Sequence, residues 1–241
     1  MLKIGSRVLI NIIMNNPKQL TFPWNKDNKS SFDNFYISKS NKHLLLLLQD
    51  EAFNDDLLIF GTKDSGKTFL LQALCNLYHS RRKSAFFLPM KQTTEFSVDI
   101  LDSLENVDLV CIDGIENAVG NKIWETAIFN LINRSLNSDN RLIFTSSKNI
   151  DDMNLGLKDL DSRLRKLQSH ELRSLADDEL LLALKHIASL RSIELGDKEA
   201  QYLLTYANRN ISDLVQILES LDQLSMEMKR RITIPLIKEV I

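Results

Sequence analysis

Residues 61–68 read Gly61-Thr62-Lys63-Asp64-Ser65-Gly66-Lys67-Thr68, a complete G-x-x-x-x-G-K-[ST] pattern. Its chemistry is the holding of phosphate. Gly61 and Gly66 permit a tight turn whose backbone N–H groups point inward at phosphate oxygens, and a helix N-terminus behind the turn adds partial positive charge. Lys67 supplies a point charge for the outer phosphates, and the Thr68 hydroxyl suits a Mg²⁺ coordination shell. A plain glycine-containing surface turn could carry the same letters, but it would not need the flanks. Here an apolar run, Leu57 to Phe60, precedes the pattern and a helical one, Phe69 to Leu74, follows it. That is the strand–loop–helix setting which phosphate chemistry requires. The expectation is a bound nucleotide.

Further residues extend the chemistry. Leu109 to Ile112 is a hydrophobic strand pattern ending in Asp113, whose carboxylate can complete a Mg²⁺ shell opposite Thr68. Many ATPases built this way place a second acid next, to polarise the attacking water; this chain has Gly114 there. Glu116 comes two residues later and is expected on the wrong side of the turn, where a general base would not reach its water. Slow intrinsic hydrolysis is therefore expected. A second strand pattern, Leu142 to Thr145, runs into Ser146 and Ser147, which serve equally well as γ-phosphate contacts or as a turn cap. Arg163, in Asp159-Leu160-Asp161-Ser162-Arg163-Leu164-Arg165, has the side chain of an arginine finger, a planar cation offered to another subunit's γ-phosphate. The bland alternative is a solvated surface arginine.

Positioning such groups takes a rigid frame. Short apolar runs at Leu57–Phe60, Ala85–Leu88, Leu109–Ile112, Leu142–Thr145 and, more weakly, Lys166–Leu172 alternate with helical patterns at Lys42–Gln49, Phe69–His79 and Ile123–Leu136. This alternation predicts an α/β fold, a parallel sheet covered by helices on both faces. Beyond residue 173 the strand patterns stop. Leu180, Leu181, Leu184, Ile187 and Ala188 keep a helical period behind Asp177 and Asp178. Asp197 and Ser212 read as caps of two further helices, and Thr233 with Pro235 starts a last one. The patterns divide the chain into a flexible leader at 1–31, polar over 15–31, an α/β core at 32–173 and an all-helical subdomain at 174–241.

Composition narrows the class. Charged residues make up 26% of the chain, yet 30 basic against 32 acidic residues leave a formal charge of −2, which argues against nucleic-acid binding through general electrostatics. Cys75 and Cys111 lie in apolar runs without metal-ligand spacing, the pattern of buried thiols in a reducing compartment. The apolar stretch Val8–Met14 is too short to span a bilayer. Met14-Asn15-Asn16-Pro17 reads as a normal start, so residues 1–13 are either a real leader or a misassigned translation start.

These residues resemble the DnaA family of AAA+ ATPases. The resemblance rests on Ser31-Phe32-Asp33-Asn34-Phe35, the phosphate loop, Ile112-Asp113 and Asp161-Ser162-Arg163-Leu164. Within that family the chain is more similar to the Hda branch, DnaA homologues of regulatory inactivation. Asp113-Gly114-Ile115-Glu116-Asn117, Leu155 to Leu160, Leu221-Asp222-Gln223-Leu224 and Ile232 to Glu239 carry that likeness, and it covers about residues 17–241.

The resemblance implies an AAA+ core with a helical lid, ADP (or ATP) with Mg²⁺ as cofactor, and Arg163 acting in trans on ATP-bound DnaA. It also implies that Gln19-Leu20-Thr21-Phe22-Pro23 binds the DNA polymerase sliding clamp. Physically, Gln19 hydrogen-bonds at a pocket mouth, Leu20 and Phe22 fill it, and Pro23 limits the ordering cost. No helix-turn-helix follows the lid, so no direct sequence-specific DNA contact is implied. The location implied is cytoplasmic, on the nucleoid through the clamp, and a homo-oligomer stays open. One departure stands out. DnaA-like lids carry a phosphate-contacting arginine where this chain has Val215, with Arg209 six residues earlier, which suits a diphosphate held as a structural cofactor. An autonomous ATPase of helicase-loader type and a small phosphate-loop kinase are the alternatives.

Overall fold

The computed structural model describes residues 30–241; the Gln19–Pro23 motif and the alternative start at Met14 lie outside them. Five strands form one parallel sheet: β1 (Leu57–Phe60), β2 (Ala85–Pro89), β3 (Leu109–Asp113), β4 (Arg141–Ser146) and β5 (Gln168–Glu171). Their order in space is β2-β3-β4-β1-β5, and each adjacent pair is parallel.

Successive strand residues face opposite sides, so each side of the sheet has its own core. Leu58, Phe86, Leu88, Val110, Ile112, Leu142 and Phe144 pack with Trp124, Ile128 and Leu131 of α3 (Lys122–Ser135) and Leu160 and Leu164 of α4 (Lys158–Leu164). Leu57, Ile59, Phe87, Leu109, Cys111 and Ile143 pack against α1 (Lys42–Gln49) and α2 (Lys67–Ser80). Both cysteines are free and buried in this second cluster, and burial pushes the Cys111 thiol above its ordinary value. β5 is mostly exposed and polar, as befits an edge strand, which is why its run is the weakest strand pattern in the chain.

The C-terminal region is helical: α5 (Asp177–Leu190), α6 (Asp197–Tyr206), α7 (Ile211–Met228) and α8 (Ile234–Val240). A third cluster, including Leu184, Leu203, Leu218, Leu221 and Ile237, lies within it. Two caps differ from expectation. Asp197 is the first residue of α6, behind Gly196 as N-cap, where its charge favours the positive helix end rather than closing it. α7 begins at Ile211, so Ser212 belongs to its first turn. Thr233 does precede α8, with Pro235 in the first turn. Tyr36, ahead of α1, meets His186 of α5 edge-on at 5.9 Å between ring centroids, joining the helical region to the core.

Candidate functional site

β1 delivers the phosphate loop to the C-terminal edge of the parallel sheet, where open α/β folds bind ligands. Its conformation explains the two glycines differently. A Cβ on Gly61 would lie 2.3 Å from the Leu172 carbonyl oxygen, so close backbone approach excludes any other residue. Gly66 has φ +97° and closes against the Phe35 ring, 3.0 Å from where a Cβ would stand; only glycine takes that backbone without strain. Asp64 also adopts positive φ, 63°. Gly66 is the N-cap of α2 and no side chain caps that helix end, which leaves its first amides to an anion.

Lys67 folds back over the loop. Its Nζ donates to the Gly61 carbonyl at 2.8 Å, the Thr62 carbonyl at 2.6 Å and Ser65 Oγ at 3.2 Å. Burial lowers the Lys67 ammonium below the ordinary lysine value, opposed by the charges of Glu116, Asp113 and Asp64. Thr62 Oγ1 lies 2.7 Å from Ser174 Oγ, just ahead of α5. Lys63 and Asp64 are exposed at the tip, and Ser65 is buried beneath it.

Asp113, at the end of β3, receives both neighbouring hydroxyls. Thr68 Oγ1 donates to its Oδ2 at 2.7 Å and Thr145 Oγ1 to its Oδ1 at 2.6 Å. A hydroxyl and a carboxylate in contact fit Mg²⁺ held largely by phosphates and water, and among the described residues no cluster of three or more His, Cys, Asp or Glu stands ready to hold a metal by itself. Thr145 is the contact that sequence reasoning missed. Ser146 is fully buried and turned away, accepting from the Lys148 amide at 3.0 Å. Strand pairing, which chain order does not contain, brings Thr145 level with the loop: β4 pairs with β1 in the register Ile59↔Thr145.

Arg163 lies on α4, partly buried. Two residues on, Arg165 is held by Asp161, at 2.7 Å, and by Asp151. The Arg163 side chain, by contrast, has no hydrogen bond or ion pair within the described residues, to Asp159 included.

Sequence comparison decides the family. A family model of the bacterial DnaA ATPase domain matches residues 26–172, and one of the Hda lid domain matches 177–241. The chain belongs to the DnaA family of AAA+ proteins. It is an Hda-like member, by its lid. An uncharacterized protein of Haemophilus influenzae is 34% identical over 230 residues, spanning 93% of this chain and 98% of its own length. The fold is similar to domain III of the Thermotoga maritima replication initiation protein DnaA, with a TM-score of 0.74 at 18% identity, covering 91% of this chain and 99% of that one. AMPPCP-bound DnaA from Aquifex aeolicus aligns at TM-score 0.68 and 18% identity, over 81% of this chain and 66% of that one. The Thermotoga maritima RuvB branch migration motor aligns at 0.65 and 17%, over 88% and 70%.

Three further features complete the description of this DnaA-family chain. In the lid, Val215 packs against the helical core. Arg209 is engaged elsewhere, its Nη1 donating to Asp177 at 2.9 Å and its Nε to the Leu204 carbonyl at 3.2 Å. Near β3, the expectation for Glu116 needs correcting. Gly114 takes φ 77° and caps a short 3₁₀ turn, Ile115–Ala118, which swings Glu116 back to the strand ends. There its Oε1 accepts from the Ser147 amide at 3.1 Å. Glu125, 1% exposed, accepts from the amides of Gly120 at 2.8 Å, Gly156 at 3.1 Å and Leu157 at 2.6 Å. Leu157 is the N-cap of α4, so this carboxylate fixes the loop that leads into the Arg163 helix.

Proposed function

We propose that the chain is a regulator of chromosome replication initiation which acts on DnaA rather than on DNA. It holds ADP, with Mg²⁺, on residues 61–68 and Asp113. Gln19–Pro23 tethers it to the DNA-loaded sliding clamp, and Arg163 reaches the γ-phosphate of DnaA-bound ATP and promotes its hydrolysis. Re-initiation is limited as a result. The observation that carries this reading is the unpaired Arg163 beside a fully paired Arg165, in a chain of the DnaA family. A guanidinium left without a partner in its own subunit suits a partner in another, and such fingers stabilise charge growing on a transferred phosphoryl group. Nucleotide binding draws support from the AMPPCP-bound DnaA neighbour and from the uncapped helix behind the phosphate loop.

The experiment is hydrolysis of DnaA-bound ATP with this protein, with and without clamp loaded on DNA. Stimulation should need the clamp and vanish when Gln19 and Leu20 are both replaced by Ala. No stimulation by the wild type on loaded clamp would refute the proposal. The competing reading, an autonomous motor of helicase-loader type, predicts single-turnover hydrolysis by the isolated chain above about 1 s⁻¹, the range of competent phosphotransfer enzymes. The engaged Arg209 and the apolar Val215 count against it.

A further inference from the structure

Two of the chain's four histidines meet between α1 and β5. His170 pairs in register with Ile59, which faces α1 and α2, so its ring turns to the same side of the sheet. The His43 ring stands 6.1 Å from it, tilted by 53°. His43 is exposed and His170 half-buried. Burial, and then the charge of His43, hold the His170 imidazole below its ordinary value. The surrounding charges offer a cationic pair little relief. Glu171 points to the other side of the strand and accepts from Arg173 Nε at 3.0 Å, while Asp55 accepts from Gln168 at 2.7 Å. Lys39 and Lys42 flank His43 along the chain, and β1 brings no ionisable side chain. In α2, Lys67 is folded over the phosphate loop and His79 lies in the last turn.

What the ring pair borders gives it consequence. Asn41 is the N-cap of α1, 2% exposed, yet its side chain does not cap the helix. The amide is spent on the chain leaving β5: Nδ2 donates to the Arg173 carbonyl at 2.8 Å and Oδ1 accepts from the Arg173 amide at 3.0 Å. Leu172 is buried with Leu44, Leu45 and Leu48 of α1, and its amide donates to the Phe60 carbonyl at 2.7 Å. Residues 172–176 lead from the sheet into α5, so α1 grips the joint between core and lid. Protonating both rings sets two like charges side by side next to that grip. We infer that the His43–His170 pair is an acid-sensitive latch: neutral, it lets α1 close on β5 and hold Arg173; doubly charged, it pushes α1 from the strand and loosens the core–lid joint. The sign follows from the lowered His170 value. The closed form binds fewer protons than the open one, so closure is favoured in full above about pH 6.5 and is lost progressively below it.

Amide hydrogen exchange of the full chain, followed by NMR, tests it and needs no nucleotide. Exchange rates divided by their intrinsic values report how often the Arg173 amide leaves Asn41. From about pH 7.5 to about pH 5, its protection should fall at least about threefold, the worth of two unit charges roughly 6 Å apart even in bulk water. Amides of β3, in the middle of the sheet, should hold steady. His43→Gln and His170→Gln should each abolish the fall, since either leaves a single charge. His43→Glu, which sets a carboxylate against the charged ring, should reverse it. Thermal unfolding at about pH 7.5 reports whether each variant is folded; should one not fold, the others and the wild-type profile decide. A wild-type fall at Arg173 no larger than that of β3 overturns the inference. So does an equal fall in either folded Gln variant, or a fall in His43→Glu that matches wild type.

Discussion

The phosphate loop and the Arg163 helix are two cationic regions of one chain, and they handle their charges in opposite ways. Lys67 is saturated by its own loop, with three acceptors within 3.2 Å, and Asp113 has a hydroxyl on each oxygen. The Lys67 ammonium and the Asp113 carboxylate are both matched inside the subunit. On α4 the matching is selective: Arg165 has two carboxylates and Arg163 none. A site whose charged side chains are matched within the subunit, with helix amides left open, suits a resident cofactor. A site with an unspent guanidinium on a firmly anchored helix suits a reaction finished by a second molecule.

The contrast breaks most sharply at Arg163. Arg163→Ala should cost about 10³–10⁵ in stimulated hydrolysis of DnaA-bound ATP, the worth of a finger in other phosphate-loop systems, with ADP binding unaltered. Arg163→Lys should fail nearly as badly, because an ammonium does not reproduce the planar fork. Full stimulation by either variant would make Arg163 an ordinary surface residue. Lys67→Ala probes the other region. ADP should raise the wild-type melting temperature with a stabilisation of about 2.7 kcal/mol at a hundredfold excess over Kd, and the variant should show no ADP-dependent shift. A shift in the variant equal to that of wild type would place the cofactor elsewhere.

Glu125 tests whether the arginine helix depends on its anchor. Glu125→Gln puts an amide donor among three backbone donors, and stranding a buried group costs about 1–3 kcal/mol. Chemical denaturation should show that loss, and stimulation should fall while ADP still binds. Loss of ADP binding along with stimulation would mean the two regions are not separable. Arg165→Ala is the mildest change. Surface ion pairs contribute little, so the melting temperature should stay close to wild type and stimulation should persist; losing it would shift the finger role from Arg163 to Arg165.

Much of this molecule is legible from residue order because its signals are local. Apolar runs such as Leu57–Phe60 and Leu109–Ile112 are short and bounded, and a parallel sheet buried on both faces demands them. β5 was faint for the converse reason: Gln168 to Glu171 lie on an edge facing water. The phosphate loop is a contiguous pattern with one physical solution. The helix caps at Asp197 and Ser212 were misread because polar residues near a helix start satisfy the same pattern one position either side.

What the chain order determined by itself is therefore the set of groups that could do chemistry and the period of most elements that carry them: Lys67 and Thr68 behind a strand, Asp113 at the end of another, Arg163 in a charged run. Which of those groups are spent was decided only by packing. Thr145 reaches Asp113 because β3 and β4 are neighbours in the sheet, and Glu116 turns back on the site because Gly114 adopts a positive φ. Glu125 joins the Gly120 turn to the amides of Gly156 and Leu157, which lie 31 and 32 residues further along the chain. Hydrogen-bond satisfaction is a property of pairs brought together across the fold, and no single stretch of sequence contains both members.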